Sequence, residues 1–419
     1  MRILTLNSGS SSLKFRMVDY PSSSVGADTD PTTLLQGIVT GIGKEATLKI
    51  SAPQRVASTC VGQDILNHGQ AVAWIWESLQ GMSQQDGETL GGPGIVIDAV
   101  GVRVVHGGHR FTQSVLIDEN VLGQIEELSP LAPLHNPPCL EGIYQIRALL
   151  GPDTPIVAVF DTSFHRTLPE HARTYAIPWE WSTRHGIERF GFHGIAHASL
   201  AHSYARYSGR SLEEIRLITF QLGQGCSVTA MKNGAVVDTS MGFTPLEGLV
   251  MGTRCGDLDP AIMGYLAEHA QLSLEEIEHQ LNTESGLLGV SGQTSDMRQL
   301  LEAIREQQNP RATLAIEVFC HRARKYLGAY LATLGGADAV IFGGGIGERA
   351  PDIRSRICEG MGWCGLSLDC HRNFEASEVQ PGAVIPIHSK ESTIDLLVSG
   401  TDEESWVARE TFLCLSNAS

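Results

Sequence analysis

Residues 238–260, DTSMGFTPLEGLVMGTRCGDLDP, concentrate groups that could do chemistry. Three Asp, one Arg, four Gly and two Pro fall in a segment with neither a helical nor an alternating period. Arg254 lies between Gly252 and Gly256, where backbone can approach an anionic ligand and the rigid guanidinium fork can meet a carboxylate or a phosphate. An ordinary surface loop could have the same composition, but further cation-bearing and Gly-rich segments recur along the chain. The stretch from Ile95 to Val105 reads as two apolar strand segments ending in Arg103-Val104-Val105-His106-Gly107-Gly108. It therefore delivers an arginine and a histidine at a strand end, where α/β enzymes place ligands. Pro155 to Phe160 is another apolar strand, followed at once by Asp161, a placement that suits catalysis, metal binding or a helix N-cap. Leu131 to Pro138 carries three prolines and reads as extended rather than helical, holding His135 and Asn136 rigidly. Arg189-Phe190-Gly191-Phe192-His193-Gly194 adds one more cation in a Gly-flanked setting.

Short strands must carry these groups. Ile3 to Leu6, a polar turn Asn7 to Ser12, and Leu13 to Val18 read as a hairpin. The same outline returns at Leu217 to Leu222, the turn Gly223-Gln224-Gly225-Cys226-Ser227, and Val228 to Met231, ahead of a second turn at Lys232-Asn233-Gly234. A weak internal duplication is visible, and each first turn could present backbone N–H groups to an anion. A third Gly-rich loop, Gly343 to Arg349, follows the buried-type strand Ala339 to Phe342, and is expected to be lined by backbone alone. It leads into Pro351, well placed to start a helix. Neither GxGxxG with its acidic partner nor GxxxxGK[ST] occurs, so phosphates would be held by other means.

At 419 residues the chain exceeds what one core usually supports, so two domains are expected. Hydrophobic residues at 42% and 45 glycines fit a globular α/β protein. A net charge of −17, from 30 Lys+Arg against 47 Asp+Glu, excludes a basic nucleic-acid face yet allows arginines to converge on a small anion. The opening MRILTLNSGS has no signal-peptide pattern and no apolar run reaches membrane-spanning length, so neither export nor a membrane partner is expected. Nine scattered cysteines suit reduced thiols in the cytoplasm.

Taken together, NSGSSSLKF, RVVHGG, LAPLHNPP, FDTSFH, RFGFHG, the 238–260 segment, SDMR at 295–298, GGGIGE and TDEE at 401–404 resemble the acetate and propionate kinase family, of the sugar kinase, Hsp70 and actin superfamily, along essentially the whole chain. The resemblance implies an α/β fold of two similar, duplicated domains of the actin-like ATPase type with an interdomain active-site cleft. The first domain would take 1–160 plus 405–419; the second, bearing the nucleotide site and the homodimer contact, 161–404.

The activity so implied is reversible, Mg-ATP-dependent phosphorylation of acetate to acetyl phosphate by direct in-line transfer. Arg103 and Arg254 would bracket the carboxylate and the phosphoryl group, and His193 would hydrogen-bond its equatorial oxygens, electrostatic roles suited to a loose transition state. Asp161 would orient the acyl substrate rather than act as a base, because acetate is already ionised near pH 7. Asn7 and Glu403 match the family's positions for Mg²⁺, with Mn²⁺ as a substitute. Lys14 would reach the phosphates of ATP or ADP. Asp296, Met297 and Arg298 would meet the adenosine, and Gly344, Gly345, Ile346, Gly347 and Glu348 the nucleotide phosphates. Val105, Leu134, Phe192 and Pro245 would line a methyl pocket whose size sets acetate against propionate, with His135 also on the substrate.

The resemblance departs in one place. The family usually reads HLGNGAS where this chain has Gln221-Leu222-Gly223-Gln224-Gly225-Cys226-Ser227, so His and Asn are both replaced by Gln in the phosphate loop. Arg349 stands where Asn is usual. Gln can donate from its amide but cannot become cationic. These changes bear on the phosphoryl donor, and the alternatives are a propionate kinase, a kinase with a non-ATP donor such as pyrophosphate, or a catalytically silent nucleotide-binding regulator.

Overall fold

The computed structural model describes residues 1–21, 31–53, 55–85 and 96–418. The chain forms two compact units, Met1–Ser163 with Glu403–Ser419, and Phe164–Asp402. Asp161 and Glu403 both belong to the first.

The first unit is built on eight strands: β1 (Arg2–Ser8), β2 (Ser12–Asp19), β3 (Thr32–Thr40), β4 (Lys44–Ala52), β5 (Arg55–Ile65), β6 (Ala99–Val104), β7 (Val115–Leu116) and β8 (Ile156–Phe160), in the spatial order β5-β4-β3-β2-β1-β6-β8-β7. The first five run as an antiparallel meander, β6 and β8 lie parallel to β1, and β7 closes the edge antiparallel. Successive residues of a strand face opposite sides, and β1 uses both. Leu4 and Leu6 join the large core with Val72 and Ile75 of the helix His68–Gln85 and Ile143 of Asn136–Leu150. Ile3 joins a second cluster with Ala408 and Phe412 of the C-terminal helix Glu403–Ala418, where Tyr20 stacks on Phe412 at 4.4 Å. Covering both faces is why β8, IVAVF, is apolar at every position.

The second unit repeats this plan with six strands: β9 (Arg216–Leu222), β10 (Cys226–Lys232), β11 (Ala235–Thr239), β12 (Ala339–Gly343), β13 (Val384–Pro386) and β14 (Asp395–Ser399), ordered β11-β10-β9-β12-β14-β13. Here too an antiparallel three-strand meander is followed by two parallel strands and an antiparallel edge. The β10–β11 turn has positive φ at both Asn233 (54°) and Gly234 (78°), the Asn-Gly signature of a tight hairpin. The duplication read from two hairpins thus extends over six strands of each unit. Pairing registers align them: Leu6 opposite Val102 matches Phe220 opposite Phe342, and Val102 opposite Ala158 matches Phe342 opposite Val398. Counting one residue along β1 and β9, and three beyond Ala158 and Val398, Asn7 then corresponds to Gln221 and Asp161 to Thr401.

Three expectations need correcting. One strand, Ala99–Val104, precedes Val105 where two segments were expected, and Ile95 lies outside the described residues. Asn136-Pro137-Pro138 opens a helix instead of prolonging an extended segment, because the first helical positions need no intrahelical N–H and Pro presets their φ. Gly343 to Arg349 is no open loop: β12 ends at Gly343 and Gly344–Arg349 turns helical, with the Glu348 side chain folded back onto it.

Candidate active site

In the first unit a string of polar groups joins three adjacent strand ends and one helix start. Arg103, one residue before the end of β6, donates from Nη2 (2.6 Å) and Nε (3.1 Å) to Asp161 Oδ2, just past β8. Its Nη1 donates to Asn7 Oδ1 on β1 at 2.9 Å. Asn7 Nδ2 in turn donates to Glu403 Oε2 (2.6 Å) and Glu404 Oε1 (3.1 Å) at the start of the C-terminal helix. Burial alone would lower the Arg103 pKa, but Asp161 and Glu403 outweigh it and raise it, so the guanidinium is held charged. Lys14 Nζ stands 3.9 Å from Glu404.

The backbone beneath Arg103 is fixed by groups whose roles are non-local. Cys139 Sγ donates to Arg103 O at 3.1 Å, and burial pushes that thiol up to about 12, so it remains protonated. Asn136 brackets His106, accepting from its N–H and donating to its carbonyl, each at 3.1 Å. Gly107 N–H donates to Thr162 Oγ1 at 3.0 Å. His68 Nε2 donates to Gly9 O at 2.8 Å, holding the first hairpin turn.

In the second unit Arg254 and His193 converge on Gly225. A Cβ built there would lie 3.2 Å from His193 Nε2 and 3.5 Å from Arg254 Nη1, so both side chains close on this position and a larger residue would crowd the imidazole. His193 adopts φ 56°, an uncommon left-handed conformation for a non-glycine, at the start of the helix Gly194–Ser208. Its Nδ1 meets Ser227 Oγ at 2.9 Å; His197 Nε2 meets the same oxygen at 2.7 Å, and His197 Nδ1 meets Thr219 Oγ1 at 2.8 Å. Burial, then His165 and His193, hold His197 well below the ordinary imidazole range, so it is neutral. Arg254 Nη1 donates to Pro245 O at 3.2 Å, and among the described residues no carboxylate pairs with this guanidinium. Burial lowers its pKa, as expected of a cation without a counter-ion.

The segment around Arg254 is clamped from behind. Arg189 donates to the carbonyls of Thr239, Ser240 and Met241 and, at 2.6 Å, to Glu247, whose carboxylate also accepts a hydrogen bond from the Tyr175 hydroxyl. The Gly-flanked cation of RFGFHG is therefore committed to structure.

At the ends of β12 and β14, Glu348 Oε1 accepts from Gly344 N–H (3.0 Å) and Thr401 N–H (2.9 Å). Gly344 takes φ 76°, and a Cβ there would sit 2.6 Å from Leu222 O. The fully buried Arg354 binds the carbonyls of Gly347 and Glu348 with Nη1, and Asn373 Oδ1 with Nε.

The expected site residues distribute as follows. Asn7, Lys14, Arg103, Val105, Leu134, His135, Asp161 and Glu403 lie in the first unit, where Asn7, Arg103, Asp161 and Glu403 are brought together; Val105 is buried and Leu134 exposed. His193, Phe192, Pro245, Arg254, Gln221 to Gly225, Asp296 to Arg298 and Gly344 to Glu348 lie in the second. Asp296 caps the helix Met297–Gln307 and pairs with Arg298, while Met297 is buried. One amide of each first turn is spent internally: Gly9 N–H donates to Ser12 O and Gly223 N–H to Gly225 O. Residues that sequence reasoning missed are His68, Cys139, Thr162, His197, Ser227, Glu247, Arg354 and the Thr401 hydroxyl. Each acts through a partner distant in sequence, and only the repeated strand register offered a route to Thr401.

Asn7 Oδ1 accepts from Arg103 and Asn7 Nδ2 donates to Glu403, so the two side chains expected at the metal lie in one string, and the second lone pair of Oδ1 leaves Asn7 an oxygen donor beside Glu403. Among the described residues no group of three His, Cys, Asp or Glu encloses a cation. An amide oxygen and one oriented carboxylate would suit a divalent ion that keeps several waters.

The acetokinase family model matches residues 2–409. The chain is 46% identical over 415 residues to an acetate kinase of Solibacter usitatus (strain Ellin6076), covering 99% of this chain and 98% of that one. It is similar to the crystal structure of Porphyromonas gingivalis acetate kinase, with a TM-score of 0.85 at 38% identity and 99% coverage of both chains. It is also similar to that of a propionate kinase from Francisella tularensis subsp. tularensis SCHU S4, with a TM-score of 0.84 at 36% identity, covering 98% of this chain and 99% of that one. With the family pattern spanning nearly its whole length, this chain belongs to the acetokinase family.

Proposed function

We propose that this protein is an ATP-dependent acetate kinase, transferring the γ-phosphoryl group to the acetate carboxylate to give acetyl phosphate and ADP. The observation that carries the reading is Arg254. A half-buried guanidinium without a carboxylate is costly in a resting protein and suits a site whose counter-ion is the substrate. His193, fixed through Nδ1, directs Nε2 towards the same glycine and serves as a hydrogen-bond donor to phosphoryl oxygens.

Arg103 is the first unit's cation for the acetate carboxylate. Asp161 holds its fork in one orientation, so its task is to aim a cation at the attacking carboxylate. No base is needed, since the nucleophile is already an anion. Asn7 and Glu403 would hold Mg²⁺, with Mn²⁺ as a substitute, and the ion would neutralise charge on the nucleotide phosphates. Lys14, Gln221 to Gly225 and Gly344 to Glu348 contact the nucleotide phosphates, and Asp296 to Arg298 the adenosine. Val105, Leu134, His135, Phe192 and Pro245 take the acyl chain.

Two copies pair through the second unit, which exposes Tyr265 and Leu274 at 62% and 63% on or beside the helix Ala261–His269, none of whose residues is buried. We place the enzyme in the cytoplasm, because none of the nine cysteines is in a disulfide among the described residues. No described helix is long and apolar enough to cross a membrane.

The test is hydroxylamine-trapped acyl phosphate formation, crossing acetate, propionate and butyrate with ATP, GTP and pyrophosphate. Turnover with ATP and acetate is expected. Turnover only with pyrophosphate, or with no donor at all, would overturn the reading.

A further inference from the structure

The Gln221 and Thr401 side chains meet at the strand ends of the second unit. Gln221 closes β9 one residue before Leu222, and Thr401 follows β14 by two residues. Thr401 Oγ1 accepts from Gly344 N–H at 2.9 Å and donates to Gln221 Oε1 at 3.2 Å. The hydroxyl oxygen already accepts from Gly344 N–H and its proton is given to Oε1, so it is the carbonyl end of the carboxamide that faces Thr401. The other end, Nε2, has no hydrogen-bond partner among the described residues. The Thr401 backbone is itself fixed, its N–H on Glu348 Oε1 at 2.9 Å.

The first unit holds the same device. Asn7 stands at the position corresponding to Gln221, and its oxygen is likewise taken by a donor, Arg103 Nη1 at 2.9 Å. Its Nδ2 is thereby turned outward and meets an anion, Glu403 Oε2, at 2.6 Å. In both units a carboxamide sits one residue before the end of the first strand, has its oxygen pinned by a neighbour, and presents its N–H groups. In the second unit no anion among the described residues receives them.

We propose that Gln221 Nε2 is a hydrogen-bond donor to the phosphoryl group in flight, and that Thr401 is the positioning residue that fixes this amide orientation. The inference rests on the acetate kinase reading and deepens it. A carboxamide so held gives one non-titrating donor, where an imidazole would change its donor count with pH. The hydroxyl does the orienting, so a side chain of the same shape without a proton to give releases the amide.

The test is a double-mutant cycle on the full-length protein, with acetyl phosphate formation and ADP binding by calorimetry both measured. Gln221→Leu is expected to lower kcat about thirtyfold, the scale of one hydrogen bond to a charged group. Thr401→Val should lower it about tenfold, Thr401→Ser should recover to within about threefold of wild type, and Gln221→Leu with Thr401→Val should be no slower than Gln221→Leu alone. ADP affinity should hold within about threefold in Thr401→Val, because Glu348 still binds the Gly344 and Thr401 amides. Additive losses overturn the coupling, as do full activity of Thr401→Val or a collapse of its ADP affinity. Wild-type turnover separates the two claims: its absence overturns the acetate kinase reading as well, whereas its presence with additive losses overturns only the Gln221–Thr401 coupling.

Discussion

Arg103 and Asp161 meet through two donors on one acceptor: Nη2 and Nε both reach Oδ2, at 2.6 and 3.1 Å, with Asp161 1% and Arg103 12% exposed. The guanidinium plane is thereby fixed while Nη1 is held on Asn7. Removing the carboxylate leaves a buried cation short of its partner. Asp161→Ala is expected to cost about 3–5 kcal/mol of stability, with Asp161→Asn costing less because it keeps the shape and one acceptor. Urea unfolding of the two variants checks this; equal stability of Asp161→Ala and wild type would remove the pair from the account.

Acid should weaken the second unit through His197. Its pKa is depressed in the folded protein, chiefly by burial, so the unfolded chain binds more protons wherever pH lies between the folded value and about 6.5. Stability therefore rises with pH across that window and is lost as pH falls below about 6.5. Melting temperatures measured from pH 8 down to pH 5 should decline, and His197→Gln should flatten the slope over that range. A slope that the substitution leaves unchanged would contradict the assignment.

Arg354 should matter without touching the chemistry. It is fully buried, its pKa is pushed down to about 10 by that burial, and it binds the carbonyls of Gly347, Glu348, Asn373 and Ala376. Arg354→Met leaves those carbonyls unpaired and should cost about 3 kcal/mol or more. If the Gly344–Glu348 segment carries nucleotide phosphates, ADP affinity measured by calorimetry falls in the same variant. Unaltered melting would show that water replaces the guanidinium.

Much of the fold could be read because its strands are local apolar runs: Ile3 to Leu6, Ile156 to Phe160 and Ala339 to Phe342 all lie in strands, and the paired hairpins signalled the duplication. The errors came where one residue type has two uses. Pro137 and Pro138 exclude a helix interior but favour its first turn. The glycines of Gly343 to Gly347 suggested an open loop, and the carboxylate that fills it, Glu348, looked like its end. Motifs located Arg103, Asp161, His193 and Arg254, whereas Ser227 between two imidazoles and Thr401 against Gln221 depend on strand register, which no local pattern encodes.

The most direct test of the central claim is acetyl phosphate formation by Arg254→Ala beside the wild type, with Mg²⁺, ATP and acetate. The wild type should turn over, and the variant, folded by circular dichroism, should be slower by about two orders of magnitude or more, the scale of losing one transition-state donor. A folded Arg254→Ala that matches the wild-type rate would contradict the account, because the half-buried cation would then have no anion to serve.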